Sequence, residues 1–294
     1  LARPFQLAFS AGLFVLTFWT CASAGARLQT NFDANRPAIT LDSSLESLLL
    51  PVRDLAALTP GLPFALTLLG ILLAHEMGHY LAARRYRLDA TPPYFLPGPP
   101  VIGTFGAFIR IRSIVYSRKI LFDVAAAGPI AGFAALLPAL GYGLHHSKVV
   151  PGIALQGDFV FGTPLLLALA ESLRFPGVDS ADIYLHPIAR AAWVGLFATA
   201  LNLLPIGQLD GGHLVYALFG ERHRTLTRIA LGALVPLGFL FPAWWLWGLL
   251  LFLLGRKHPF IFDDEPIGWR RKWIGAISGI IFLVSFMPAP ILNG

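Results

Sequence analysis

From Leu55 to Ala74 the chain carries no charged side chain, and the run ends in "HEMGHYLAARRY", which sets two histidines and a glutamate against apolar sequence. That constrains the fold strongly. A bilayer core needs about 20 mostly apolar residues at about 1.5 Å each, and a helix satisfies its own backbone there. The whole chain agrees: 56% of its 294 residues are hydrophobic and 13% charged, with a mean hydropathy of +0.67. Such a composition is too apolar for a water-soluble domain of this size. The expected fold is an all-α polytopic membrane protein.

Six or seven transmembrane helices are expected. They cover Phe5 to Ala24, Leu62 to Ala83, Ile120 to Leu144, His186 to Leu204, Thr225 to Gly255, and a last segment from beyond Arg270, Arg271 and Lys272 to Pro288. The stretch from Thr225 to Gly255 reads as one tilted helix or as two short ones turning at Phe241-Pro242. Positive charge favours the hairpin, because short inner loops collect Lys and Arg. With the amino end inside, the inner side then gathers Arg3, Arg84, Arg85, Arg87, Arg110, Arg112, Arg118, Lys119, Arg222, Arg224, Arg228, Arg256, Lys257, Arg270, Arg271 and Lys272. The outer side keeps Arg27, Arg36, Arg53, Lys148, Arg174 and Arg190.

The first segment, followed by "CASAGA", also fits a signal peptide, but a single basic residue precedes it, which favours a span. Residues 1–60 are expected to form the first span and an outer loop, 61–215 a catalytic membrane core, and 216–294 the C-terminal spans. The net charge of +6 reads as topology and contact with anionic lipid, so nucleic acid is not an expected partner. Cys21 is the one cysteine, which excludes an internal disulfide and a cysteine zinc site.

Four residues along a helix bring His79 to nearly the same face as His75, about 6 Å further on, so both imidazoles can reach one metal ion. H-E-x-x-H is the zinc-peptidase pattern, with the glutamate as general base. A carboxylate near the middle of a membrane helix costs about 2.5–3.5 kcal/mol on insertion scales, and ionisable residues there mark function. The plainer alternative is a hydrogen-bonded polar patch between helices, or an interfacial cluster beside Arg84 and Arg85. That alternative leaves the spacing unexplained.

A catalytic zinc needs a third protein ligand and one open position. The other glutamates, Glu46, Glu171, Glu221 and Glu265, lie in loops or near charged ends. Asp210 lies in apolar sequence, within "ATALNLLPIGQLDGGHLVYAL", where Pro205, Gly207, Gly211 and Gly212 interrupt the helix and leave the aspartate free to turn.

Together, "HEMGH" at 75–79 and "NLLPIGQLDGG" at 202–212 resemble the site-2 proteases, the intramembrane zinc metalloproteases. "GTFGAFIRIRS" at 103–113 and "DVAAAGPIAG" at 123–132 are similar to a subgroup that lacks a PDZ domain and is shared by bacteria and plastids. The resemblance covers roughly residues 65–260. It implies one Zn²⁺ per chain on His75, His79 and Asp210, Glu76 as catalytic base, and Asn202 as a residue positioning the substrate or the metal-bound loop. It further implies transmembrane protein substrates in the bilayer, and the charge-based topology puts both motifs near the inner ends of their helices, so the active site is expected nearer the cytoplasmic side. The expected membrane is the bacterial cytoplasmic membrane, with a plastid membrane as the alternative. The loop at 145–185 is too short for a PDZ insertion.

"TFGAFIRIR" alternates at its end as a strand does, so a small β-hairpin or sheet is expected between the second and third spans. Its open edge, around Gly106, can pair with an unwound substrate; a plain hairpin closing the loop is the alternative. His213 is a candidate donor to a developing oxyanion, or a hydrogen-bonded structural residue. Asp123 is expected to cap its helix or pair with Arg118, and "AAAGPIAG" to allow close helix packing. Trp244, Trp245 and Trp247 read as an interfacial belt, and His145, His146 and His186 as solvated loop residues, with a second metal site as the alternative. Two other functions stay open: a prenyl-protein-type membrane peptidase, which needs a later glutamate as ligand, and a catalytically inactive relative that binds membrane helices.

Overall fold

The computed structural model describes residues 4–39, 55–99, 101–254, 261 and 265–293. Arg3, Glu46, Arg53, Arg256 and Lys257, used above in the charge and ligand readings, lie outside them. Helices dominate: α1 (Pro4–Asp33), α2 (Leu62–Arg85), α3 (Arg118–His145), α4 (Leu165–Arg174), α5 (Pro187–Asn202), α6 (Asp210–Phe219), α7 (His223–Leu240), α8 (Ala243–Leu254) and α9 (Trp269–Ser285). Among the described residues three stretches are long and apolar enough to cross a membrane: Gln6–Asp33, Leu55–Arg85 and Arg118–His145. Large apolar side chains point outward along the bundle, among them Val15, Leu66, Phe239 and Leu283. Water would penalise such a surface and lipid would not. This is a membrane protein.

The first helix runs well past Ala24, and "CASAGA" lies inside it. Cys21, Ala22 and Ala24 are fully buried there, and their small side chains form the seam on which the next segment and the hairpin turn pack. The stretch after His223 is indeed a hairpin of two helices, broken at Phe241 and Pro242.

Polar contacts tie the two ends of the bundle. At one end Asp123 accepts Arg271 Nε and Nη2, both at 2.7 Å, and also the Tyr86 hydroxyl, joining α2, α3 and α9. This corrects two expectations for Asp123. The α3 cap is Ser117, which accepts from the Lys119 amide, and Arg118 donates instead to the Ala217 carbonyl at 2.7 Å. A planar guanidinium matches a carboxylate in two-pronged fashion, and Arg271 reaches Asp123 from a neighbouring helix.

The structure bears out the expected hairpin between α2 and α3: β1 (Tyr94–Pro97) pairs antiparallel with β2 (Thr104–Phe108). Irregular pairing continues past β2, where the Thr91 amide donates to the Arg110 carbonyl and Ala90 bridges Ile111. Two further strand pairs at the other end of the bundle have no counterpart in the sequence reading: β3 (Lys148–Val149) with β5 (Ile183–Tyr184), and β4 (Phe159–Phe161) with β6 (Ile291–Asn293). Strands of two or three residues carry too little alternation to be legible.

The tryptophans correct another expectation. Trp244 is 1% exposed and donates from Nε1 to the Pro288 carbonyl at 2.7 Å, so it is a core residue rather than part of a belt. Trp245 alone of the three is exposed, at 46%. Replacing Trp244 with alanine should cost about 3–5 kcal/mol of stability, read as a lower unfolding temperature in detergent, and the same change at Trp245 should cost far less. Equal shifts would contradict the burial assigned to Trp244.

Candidate metal centre

One turn of α2 separates His75 from His79, and their rings stand 4.9 Å apart with the Nε2 atoms 3.1 Å from each other. His75, Glu76 and His79 are 6%, 5% and 7% exposed. This polar trio is therefore buried inside an apolar bundle, where it needs partners.

The packing of α3 on α2 supplies one of them. Val124 offers its carbonyl to His79 Nδ1 at 2.7 Å. A carbonyl can only accept, so Nδ1 carries the proton and Nε2 keeps its lone pair for a metal. The ring fits because residue 128 is glycine: a Cβ there would stand 2.1 Å from His79 Nε2. On the facing helix, a Cβ at Gly78 would stand 2.4 Å from the Ala127 carbonyl oxygen. The small-residue run 125–132 thus allows close packing, as expected, and also shapes the seat of the imidazoles.

Asp210 arrives from the other side. Helix α5 ends at Asn202, the chain turns through residues 203–209, and Asp210 opens α6, where the helix N-terminus favours a carboxylate. The turn is pinned by Thr227, whose hydroxyl donates to the Pro205 carbonyl at 3.0 Å. Gly211 and Gly212 lie inside α6, so their part is close approach rather than freedom: a Cβ at Gly211 would stand 2.0 Å from the Leu203 carbonyl oxygen.

Asp210 Oδ2 lies 3.3 Å from His75 Nε2 and 3.2 Å from His79 Nε2. Ligands at about 2.0–2.1 Å around a tetrahedral zinc stand roughly 3.3 Å from one another. The three observed separations match that spacing, and imidazole lone pairs facing a carboxylate are the donor set a cation requires. Among the described residues this is the one group of three such side chains able to hold a metal ion.

Two cavities meet at the site. The larger, about 550 Å³, is lined by His75, Glu76, His79, Asp210 and His213 with Arg110, Ser113 and Gln208, and by apolar walls that include Phe108, Ile111, Ile114 and Val115. The smaller, about 200 Å³, lies on the other side of His75 and Glu76 and is walled by apolar residues of β2, α5 and α8. The Ile109 backbone amide faces the Glu76 carboxylate. Asn202 places its side-chain amide 3.3 Å from His75 Nε2. His213 hydrogen-bonds the Gln208 backbone while lining the larger cavity. Gly106 lines the smaller one at φ +111°, a left-handed backbone where a side chain is strained.

Every sequence-selected site residue therefore borders this pair of cavities. The Val124 carbonyl, Gly128, the Ile109 amide and Trp247 of the smaller cavity were not foreseen. The small-residue run was the available signal for Gly128. His146 bonds the Tyr142 carbonyl at 2.9 Å and His186 accepts from the Ile188 amide at 3.2 Å, so both serve helix ends. Glu171, at the far end of the bundle, accepts from Ser180, and burial pushes its carboxyl above the usual range.

Residues 63–242 match peptidase family M50. The chain is similar to the probable zinc metalloprotease EGY1, chloroplastic, of Arabidopsis thaliana, at 34% identity over 78% of this chain and 43% of that protein. EGY1 of Oryza sativa subsp. japonica is 31% identical over 97% of this chain and 51% of its own length. The probable zinc metalloprotease EGY2, chloroplastic, of Arabidopsis thaliana is 34% identical over 94% and 47%. The chain spans about half the length of these curated relatives. Their names carry zinc, the ion whose ligand spacing the site matches.

Gly128→Leu should lower zinc affinity by about 10- to 100-fold, the usual effect of disturbing a ligand's support, although it removes no ligand. Asp210→Ala should lower it further. Zinc per purified chain, measured by elemental analysis under a competing chelator, checks both; full occupancy in both variants would refute the placement.

Proposed function

Because the chain belongs to peptidase family M50, the site-2 protease family, we propose that it is an intramembrane zinc endopeptidase, hydrolysing peptide bonds in or near the transmembrane segments of other membrane proteins. One observation carries this reading above the rest: two imidazoles and a carboxylate at zinc-ligand spacing, with Glu76 beside them, inside a bundle of apolar helices. His75, His79 and Asp210 would hold the ion. Zinc, when bound, polarises a peptide carbonyl and acidifies water. Glu76 accepts the proton of the attacking water at its carboxylate and returns it to the departing amide nitrogen, leaving two peptides.

A helix in lipid hides its carbonyls in its own hydrogen bonds, so the substrate must unwind and find new backbone partners. The hairpin is suited to supply them. Helix α1 clamps the β1 side, with Ser10 donating to the Pro93 carbonyl at 2.5 Å and Thr20 to the Gly103 carbonyl at 2.6 Å. Strand β2 has β1 on one edge and no strand on the other among the described residues, while residues 105–109 run past Glu76. That free edge fits strand addition by the substrate.

Of the seven proposed spans, α1, α2 and α3 have the length and apolarity to cross a membrane, and the shorter α5, α7, α8 and α9 would supply the rest. The charge bias supports placing the Arg85, Arg118 and Trp269 ends on the inner side, with the site nearer that side. The relatives' chloroplastic names support a plastid membrane over the bacterial one expected from sequence. Among the described residues Glu76 is the one glutamate lining either cavity, which leaves a prenyl-type peptidase without its third ligand.

Glu76→Gln should keep zinc and reduce cleavage by at least about 100-fold, the lower range for a general base. Comparing membrane-protein fragments from cells making the parent or the variant tests this, and identical fragments would end the protease reading. Gly106→Pro demands φ near −65° where the chain holds +111°, and removes an amide that donates to Thr104 Oγ1 at 2.9 Å. It should abolish cleavage with zinc content intact; unchanged turnover would remove β2 from substrate binding.

A further inference from the structure

The two cavities share His75, Glu76, Ala107, Asn202 and Leu209, so the site is a waist between two spaces of different size. Strand β2 and the three residues after it cross that waist: Phe105 and Gly106 border the smaller cavity, Ala107 both, and Phe108 to Ile111 the larger. A peptide laid along β2 therefore has residues on one side of its scissile bond in one cavity and residues on the other side in the second.

The smaller cavity is built from Phe105, Ala198, Leu201, Leu204, Trp247 and Leu251. Thr199 in its wall is already satisfied by the Gly195 carbonyl at 2.8 Å. Its 200 Å³ is below the about 300–1,000 Å³ of pockets for whole small molecules and suits a single large side chain. The larger cavity has apolar walls as well, from Phe108, Ile111, Ile114 and Val115, but it adds Arg110, an exposed cation with no ion pair to a carboxylate among the described residues.

Resting on the protease reading above, we propose that these cavities are unlike subsites flanking the scissile bond, one taking a large apolar side chain against Trp247 and Leu251, the other an acidic residue beside Arg110. The preferred substrate bond then lies where an apolar segment gives way to an acidic one. An antiparallel peptide puts its apolar residue on the C-terminal side of the cut, and a parallel one on the N-terminal side. Mass spectrometry of the products reads which of the two holds.

The test uses the full chain in detergent with added zinc and a library of membrane-segment peptides varied on both sides of the cleaved bond. Replacing Leu by Ala at the apolar position should lower kcat/KM at least about tenfold. Ala198→Phe should fill the smaller cavity and move the preference to small residues, and Trp247→Ala should move it to larger ones. Arg110→Glu should exchange the acidic preference for a basic one. Separately, the Glu76→Gln protein with a benzophenone-bearing peptide at the apolar position should crosslink within residues 247–251. Glu76-dependent cleavage with a flat profile, unmoved by these variants and crosslinked elsewhere, overturns the subsites. Crosslinking at 247–251 with no hydrolysis by the parent supports the pocket and defeats the protease reading instead.

Discussion

Helices α2 and α3 pack closely enough for a histidine ring to occupy the space of a missing side chain, and the site depends on that approach. Gly78 and Gly128 remove the atoms that would hold the helices apart, and the Val124 carbonyl, brought within 2.7 Å, settles which nitrogen of His79 faces inward. Burying imidazoles and carboxylates among apolar residues is costly unless they are paired. Here each partner comes from a different element: α2 gives the imidazoles, α3 their orientation, and the start of α6 the carboxylate. None of these elements could hold the arrangement alone.

The same economy of elements joins chemistry to substrate handling. Strand β2 is short, yet it runs beside Glu76 and along both cavities, with its other edge occupied by β1. Backbone pairing is indifferent to side chains, so the strand addition proposed above would suit many sequences. On the proposed reading, selectivity would come from the spaces on either side of the strand, which differ in size and in the Arg110 that lines the larger one. Ties at the two ends, Asp123 with Arg271 at one and Trp244 with Pro288 at the other, hold the helices that wall those spaces.

Much of the site was legible because its first part is local. His75, Glu76 and His79 fall within one helical turn and a half, so spacing alone predicts a shared face, and apolar runs mark the helices that carry them. The hairpin was visible from alternation at 109–112, although the regular strand lies just before it. Asp123 misled because a carboxylate near a helix start resembles a cap, whereas its partner Arg271 comes from a helix far along the chain. The tryptophans misled for a related reason: sequence cannot tell a ring facing lipid from one turned into the core, as Trp244 is.

The sequence by itself determined the membrane class, the helix that bears the chelating pair and the identity of the glutamate beside it, because those follow from composition and from periodicity within a single helix. Tertiary structure alone decided that Asp210 lies 3.2 Å from His79, that the Val124 carbonyl orients the ring, and that two cavities of different size meet at Glu76. Those features arise from how closely and at what angle separate elements pack, and a linear pattern carries no measure of either.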